Sequence, residues 1–231
     1  MIKLKSYIFQ TYRKLKYSSY YDIYIIFKDY TMTPINRFVR NLTLVNHFRN
    51  VEGCVIECGT WRGGMIGGIA KTLGDKRQYF LFDSYEGLPV PTSADGGKAF
   101  RWQNDKESPG YYDNCSAEMS FAENAMKLSG VSDYKIIKGW FSETLPLFGK
   151  DIPIAVLRLD GDWYESTMQC LENLYDLVVP GGLIIIDDYY AWDGCASAVH
   201  DFLSRNNLPD RISQWENDIC YMVKSKKEAA H

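Results

Sequence analysis

The chain is expected to form a mixed α/β fold. The expectation is a doubly wound, Rossmann-like sheet, mostly parallel, with an antiparallel C-terminal hairpin and a helical N-terminal cap. Three observations predict it. Short apolar runs recur between residues 54 and 188, each reading as a buried strand. Segments of helical apolar spacing separate them, and strands alternating with crossover helices imply a parallel sheet covered on both faces. The last two runs, 211–215 and 219–223, have only a short turn at 216–218 between them, which fits a hairpin.

The elements follow in order. Residues 1–50 read as a helical cap or lid segment with at least two helices. Residues 17–30 are rich in Tyr, Ile and Phe. A second helix spans 34–49, with Thr33 as its cap and Pro34 in its first turn. Residues 51–224 read as the main domain. Its strands are predicted at 54–58, 78–83, 134–139, 152–160 and 183–188. The crossover helices are predicted at 63–73, 116–130, 142–148, 166–178 and 195–206. The helix at 63–73 is loosened by its glycines. The helix at 116–130 has Ser116 as cap and Gly130 as stop. Residues 89–115 form a long irregular segment, and loops of that length are usually functional lids or disordered. Residues 225–231 read as a disordered tail.

Composition narrows the class. A chain of 231 residues, 46% hydrophobic and 24% charged, is long enough for one substantial core. A net charge of −3 argues against a broad nucleic-acid surface. No apolar run approaches the roughly 20 residues of a membrane helix, and residues 1–5 do not lead into a signal peptide. Six cysteines with no CxxC pair fit a reduced, cytoplasmic protein. Three histidines are too few for a His-rich zinc site. The aromatic N-terminal segment offers apolar surface for a homodimer.

Chemistry concentrates in LRLDGDWYEST (157–167) and PGGLIIIDDYY (180–190). Each begins in an apolar strand and ends in acids, so Asp160, Asp162, Asp187 and Asp188 crowd the ends of two strands. Burying that much negative charge without a partner is very costly. A divalent cation bound by oxygen ligands (magnesium, manganese or calcium), or a reacting group that needs a base, is the natural explanation. Neighbouring strand residues face opposite ways, so Asp187 and Asp188 share an ion only if the strand is already turning there. Asp162, two residues beyond Asp160, is the candidate general base. Glu165 is a weaker alternative, expected in the first turn of the next helix.

VIECGTWRGG (55–64) reads as strand, turn and helix start. Gly59 and Gly63 allow close approach of a ligand to the backbone around Thr60, and the helix N-terminus offers free N–H groups. The G-x-G-x-x-G dinucleotide pattern is absent, because no second glycine follows Gly59 at the required spacing. With Glu57 two residues earlier, the turn is typical of S-adenosylmethionine sites in class I methyltransferases. Asp83 ends the second strand, where an acid commonly accepts hydrogen bonds from ribose hydroxyls. An ordinary turn cap is the other reading of Asp83. After the third strand, Gly139 permits close backbone approach, and Trp140 or Phe141 would flank an adenine ring or pack in the core. His200, on an amphipathic helix, reads as structural. Phe100, Trp102, Tyr111 and Tyr112 would pack on an acceptor or anchor the long loop.

Together these segments resemble the macrocin O-methyltransferase family. The resemblance rests on YTM (30–32), VIECGTWRGG, LFDSYEGLP (81–89), KGWFSETLP (138–146), LRLDGDWYEST and PGGLIIIDDYYAWDGCASAVHDF (180–202). It implies a class I methyltransferase fold and magnesium-dependent transfer of a methyl group from S-adenosylmethionine to a sugar hydroxyl of a small-molecule glycoside. It places Asp160, Asp187 and Asp188 on the family's metal ligands and Asp162 on its base. Glu57, Gly59, Trp61, Asp83, Ser84 and Trp140 fall in its cofactor motifs, and Met32 in the segment that closes over the cofactor. This sequence departs from the family at Cys58 and Thr60, in its tyrosine-rich N-terminus and at 89–115. The last two build the acceptor pocket. The alternatives are a metal-dependent catechol or phenol O-methyltransferase and a non-catalytic small-molecule-binding protein of the same fold. A nicotinamide oxidoreductase is disfavoured by the missing glycine.

Overall fold

The computed structural model describes residues 17–226. The expectations for residues 1–16 and for 227–231 of the tail lie outside the described residues. Ser225 is held, its amide donating to Asp210 Oδ1 at 2.6 Å.

Seven strands form one sheet: β1 (Cys54–Cys58), β2 (Tyr79–Asp83), β3 (Tyr134–Lys138), β4 (Ile154–Leu159), β5 (Val178–Ile186), β6 (Ser213–Trp215) and β7 (Ile219–Val223). Their order is β3-β2-β1-β4-β5-β7-β6. β1 to β5 pair in parallel, and β7 pairs antiparallel to both β5 and β6. The strand order reverses between β1 and β4, and open α/β sheets bind ligands at such a switch point, beyond the carboxyl ends of the strands.

Period-two alternation sends side chains to two cores. Ile56, Leu157 and Ile184 pack on one face with Leu171 and Phe202, from helices α7 (Tyr164–Leu174) and α8 (Asp193–Arg205). Val55, Val156 and Ile185 pack on the other with Phe27 of α1 (Ser18–Phe27), Phe38 and Leu42 of α2 (Ile35–His47) and Ile66 of α3 (Gly64–Leu73). Ala122 and Met126 of α5 (Met119–Ser129) complete that layer. The glycines of α3 serve packing. A Cβ at Gly67 would strike the Phe27 ring, and one at Gly68 the Phe38 ring. The N-terminal helices therefore seat directly on α3. Among the described residues, no helix is long and apolar enough to cross a membrane.

Several expected boundaries shift for physical reasons. Pro34, not Thr33, is the cap of α2. Its carbonyl accepts the first helical bond from Phe38 N at 2.9 Å, while Thr33 N is turned to Thr31 Oγ1. Ser116 does not cap α5, which starts after Glu118, because its hydroxyl donates to Asp113 Oδ2 at 2.8 Å. Gly130 ends α5 as expected, at φ 85°. The segment 142–148 contains only a short helix, α6 (Phe141–Thr144), followed by a 3-10 turn through Pro146. β5 begins earlier than expected and ends at Ile186, so Asp187 and Asp188 lie in the turn beyond it.

The segment 89–115 is ordered rather than irregular. Thr92 and Asp95 form a reciprocal capping box around the 3-10 turn Ser93–Asp95. Helix α4 (Gly96–Asn104) follows directly, with Ala99 buried. Asp95 is 2% exposed and accepts from Tyr164 N at 2.7 Å, tying the segment to the start of α7. Trp102 packs against Tyr111, Trp163 and Trp192. The signal for this was legible as T-x-x-D at 92–95, immediately before the helix.

Candidate active site

Strand register assembles the acids. Glu57 in β1 lies opposite Arg158 in β4, and Arg158 lies opposite Ile185 in β5. Asp160 and Asp187, each two residues further along, therefore project on the same face as Arg158. Arg158 is fully buried. Its Nη1 donates to Glu57 Oε1 at 2.7 Å and to Asp160 Oδ2 at 2.6 Å, and its Nη2 lies 2.6 Å from Asp187 Oδ1. Arg37 of α2 also reaches the site, donating to the Asp187 carbonyl. Sequence reasoning missed Arg158. Its signal was available as the one charged residue in the apolar run IAVLRL.

The backbone turns after Ile186. Asp187 N still continues the sheet, donating to Leu159 O at 2.9 Å, whereas Asp188 O accepts from both Ala191 and Trp192 amides. The turn brings Asp188 round beside Asp187. Asp160, Asp187 and Asp188 each present an oxygen, and the three lie within 4.8 Å of one another. Asp162 joins them through its amide, which donates to Asp188 Oδ2 at 3.2 Å. Asp162 has φ 57°, a left-handed conformation uncommon for non-glycine residues, which Asp and Asn adopt more readily than most. Its Oδ1 accepts from Trp192 Nε1 at 2.7 Å. Trp192 was not singled out from sequence either.

Five carboxyl groups thus face two guanidinium groups, and the surplus charge shows in proton affinity. Burial, reinforced by Asp160, pushes Asp162 up to about 8. Burial also pushes Glu57 up to about 8, against the pull of Arg158. Burial together with Asp162 and Asp160 holds Asp188 well above the carboxylate range, and burial raises Asp160 against the pull of Arg158. The all-oxygen donor set fits a hard divalent cation.

The linkage has a definite sign. Acids with raised folded-state pKa values stabilise the fold fully below their unfolded values near 4, and lose that contribution as pH rises towards 8. In EDTA the melting temperature should therefore fall between pH 6 and pH 8. Magnesium should raise it more at pH 8 than at pH 6. A pH-independent melting temperature in EDTA would contradict this charge assignment.

The glycine turn borders a cavity of about 380 Å³ at this sheet edge. Gly59 (φ 85°) carries the β1–α3 turn so close to β4 that a Cβ would overlap the Asp160 carbonyl. Asp83 braces the turn: its Oδ2 accepts from Thr60 N and Trp61 N at 2.7 Å, and its Oδ1 from Tyr85 N at 2.6 Å. The turn-cap reading of Asp83 thus describes its contacts. Gly59, Trp61, Asp83 and Ser84 line the cavity, with Met32 on the N-terminal side and Gly139 and Trp140 beyond β3. Asp160, Asp162 and Glu165 line it at the acidic end. Glu57, Thr60, Gly63, Asp187 and Asp188 are not among the lining residues. Thr60 bonds Tyr85 across the turn at 3.3 Å, and Gly63 lets α3 approach α5 at Ala122.

Residues 88–115 build one wall of the cavity. Leu88, Pro89, Val90 and Cys115 line the cavity, whereas Phe100, Trp102, Tyr111 and Tyr112 do not. Tyr112, Asp113, Asn114 and Cys115 form a left-handed turn, with φ between 49° and 59°. Such a conformation costs roughly 1–2 kcal/mol per residue. It is enforced by Asn114, whose carbonyl accepts from Leu88 N at 3.0 Å and whose amide donates to Leu88 O at 2.8 Å. His200 faces Tyr189 OH at 2.9 Å, outside the cavity.

Three comparisons accord with this geometry. The 8-demethyl-8-(2,3-dimethoxy-alpha-L-rhamnosyl)-tetracenomycin-C 4'-O-methyltransferase of Streptomyces olivaceus is 37% identical over 170 residues, 71% of this chain. The chain spans 63% of the length of that relative. The demethyldecarbamoylnovobiocin O-methyltransferase of Streptomyces niveus is 31% identical over 77% of this chain and 68% of its own. The solved structure of the O-methyltransferase NovP superposes with a TM-score of 0.72 at 28% identity, covering 85% of this chain and 83% of that one. Residues 24–224 match the profile described as macrocin-O-methyltransferase (TylF), and the chain belongs to that family.

Proposed function

We propose that the protein is an S-adenosylmethionine-dependent O-methyltransferase that methylates a sugar hydroxyl of a small-molecule glycoside, with magnesium at the acidic cluster. The observation that carries the reading is the convergence of three carboxyl oxygens within 4.8 Å, one of them from Asp160 in the wall of a cavity that also holds the glycine turn. Two relatives named for tetracenomycin and novobiocin substrates support a natural-product acceptor.

The residues divide the work. The turn at Gly59, braced by Asp83, together with Ser84, Gly139 and Trp140, would hold the cofactor, and the N-terminal helices would act as a cap through Met32. S-adenosylmethionine supplies an electrophilic methyl group. Asp160, Asp187 and Asp188 would hold magnesium, which would supply positive charge beside the reacting hydroxyl oxygen. Asp162 is placed to take the hydroxyl proton. The remaining demand is alignment of the hydroxyl oxygen with the methyl carbon, which the cavity walls impose.

Calorimetric titration of S-adenosylhomocysteine should show binding both with magnesium and with EDTA, because the cofactor wall and the acidic cluster use different residues. Titration of magnesium should show binding that Asp187→Ala weakens. Absence of S-adenosylhomocysteine binding in both buffers would overturn the reading.

A further inference from the structure

Asp162 holds a left-handed backbone conformation, and among the described residues its carboxyl group has one neutral side-chain donor besides the charges around it. That donor is the indole of Trp192, 2.7 Å from Oδ1. Trp192 belongs to neither the metal cluster nor the cavity wall. Its position is set from three directions. Its amide donates to Asp188 O at 2.9 Å, which places it at the start of α8. Its ring packs edge-on against Trp163 at 5.0 Å and Trp102 at 5.9 Å. Lys98 of α4 lies 4.8 Å from the ring centroid and donates to Ala191 O at 2.7 Å. Two of these supports, Trp102 and Lys98, come from the 89–115 segment that lines the acceptor side.

We propose that Trp192 is a positioning residue that fixes the Asp162 carboxylate for proton transfer. The proposal rests on the reading of Asp162 as the base. A carboxylate free to rotate presents either oxygen at varying angles. The indole N–H engages Oδ1, which leaves Oδ2 as the oxygen that meets the acceptor hydroxyl. Proton transfer needs the base within hydrogen-bond reach in a defined orientation, and outer partners that orient a reactive group typically change activity about 10- to 100-fold. Because α4 buttresses the indole, the segment that walls the acceptor side also sets the base, so ordering one orders the other.

The test uses the full chain with magnesium, S-adenosylmethionine and p-nitrophenyl α-L-rhamnoside as acceptor probe. Trp192→Phe keeps the ring against Trp163 and removes the N–H. It should lower kcat about 10- to 100-fold, leaving KM and the Kd of S-adenosylhomocysteine within about threefold. Trp192→His, which restores a ring N–H, should recover part of the loss. Asp162→Asn is measured alongside. Inactive Asp162→Asn with normal kcat in Trp192→Phe overturns the positioning role alone. Full turnover in Asp162→Asn overturns the base reading and the proposal with it. A second readout needs no acceptor. With 15N-labelled tryptophan, the Trp192 indole signal is assigned by its loss in Trp192→Phe. Asp162→Gly, which suits the positive φ and removes the acceptor, should shift that signal and speed its solvent exchange. An unmoved signal overturns the contact.

Discussion

Asp162→Asn should abolish most turnover, on the order of 10²- to 10⁴-fold in kcat, while S-adenosylhomocysteine binds as before. The substitution is nearly isosteric. Asn tolerates the left-handed backbone at this position, and its side-chain oxygen still accepts from Trp192. Packing and local geometry therefore persist, and what disappears is the ability to take a proton. A sugar hydroxyl is too weak an acid to ionise unaided near neutral pH, so the loss falls on kcat rather than on binding. The pH profile gives a second handle. In the metal-free protein Asp162 is pushed up to about 8 by burial and Asp160. With Asp162 as the proposed base, its carboxyl group must be deprotonated, so activity should rise with pH through an acidic limb. A divalent cation beside it favours the carboxylate, so the limb should move to lower pH as magnesium is raised. Steady-state kinetics of wild type and Asp162→Asn from pH 6 to pH 9 decide the matter, and a variant with wild-type kcat removes Asp162 from the chemistry.

Much of this arrangement was legible in the sequence because it depends on chain-local rules. The strand and helix order follows from apolar periodicity, and the sheet edge that carries the acidic cluster and the cavity follows from acids at the ends of strand runs. Gly59 and Asp160 belong to two separate motifs, yet both read correctly as strand-end residues. What escaped depends on distances across the sheet. Arg158 sits in β4, and only the register that sets it opposite Glu57 shows why a cation belongs there. Trp192 lies 30 residues from Asp162, and no spacing rule joins them. The segment 89–115 escaped for another reason. Its prolines and glycines read as loop, while its order comes from tertiary ties: Asp95 to Tyr164, Asn114 to Leu88, and Trp102 to Trp163. The N-terminus of α5 shows the same override. Ser116 has the chemistry of a cap, but Asp113 captures its hydroxyl.

Arg158→Met should cause the largest loss of stability. The guanidinium is fully buried and faces Glu57, Asp160 and Asp187, while Met fills a similar volume without charge. Removing one partner of a buried ionic group costs about 3–5 kcal/mol, because the remaining charge stays desolvated. For a domain of this size each kcal/mol moves the melting temperature by about 2–4 °C, so the drop should be roughly 6–20 °C. Its pH dependence separates charge from packing. Arg158 pulls Glu57 and Asp160 down against burial, so without it their proton affinity climbs further. Acids raised in the folded state lose their stabilising contribution as pH rises. The deficit should therefore be smaller at pH 5 than at pH 8, where unprotonated carboxylates repel one another. Magnesium should recover part of it at pH 8, by supplying positive charge to Asp160 and Asp187. Melting curves at both pH values, in EDTA and in magnesium, read all of this at once. A deficit that ignores pH and metal alike would mean that Arg158 holds the sheet edge by shape rather than by charge, and that the acids do not need it as their counterion.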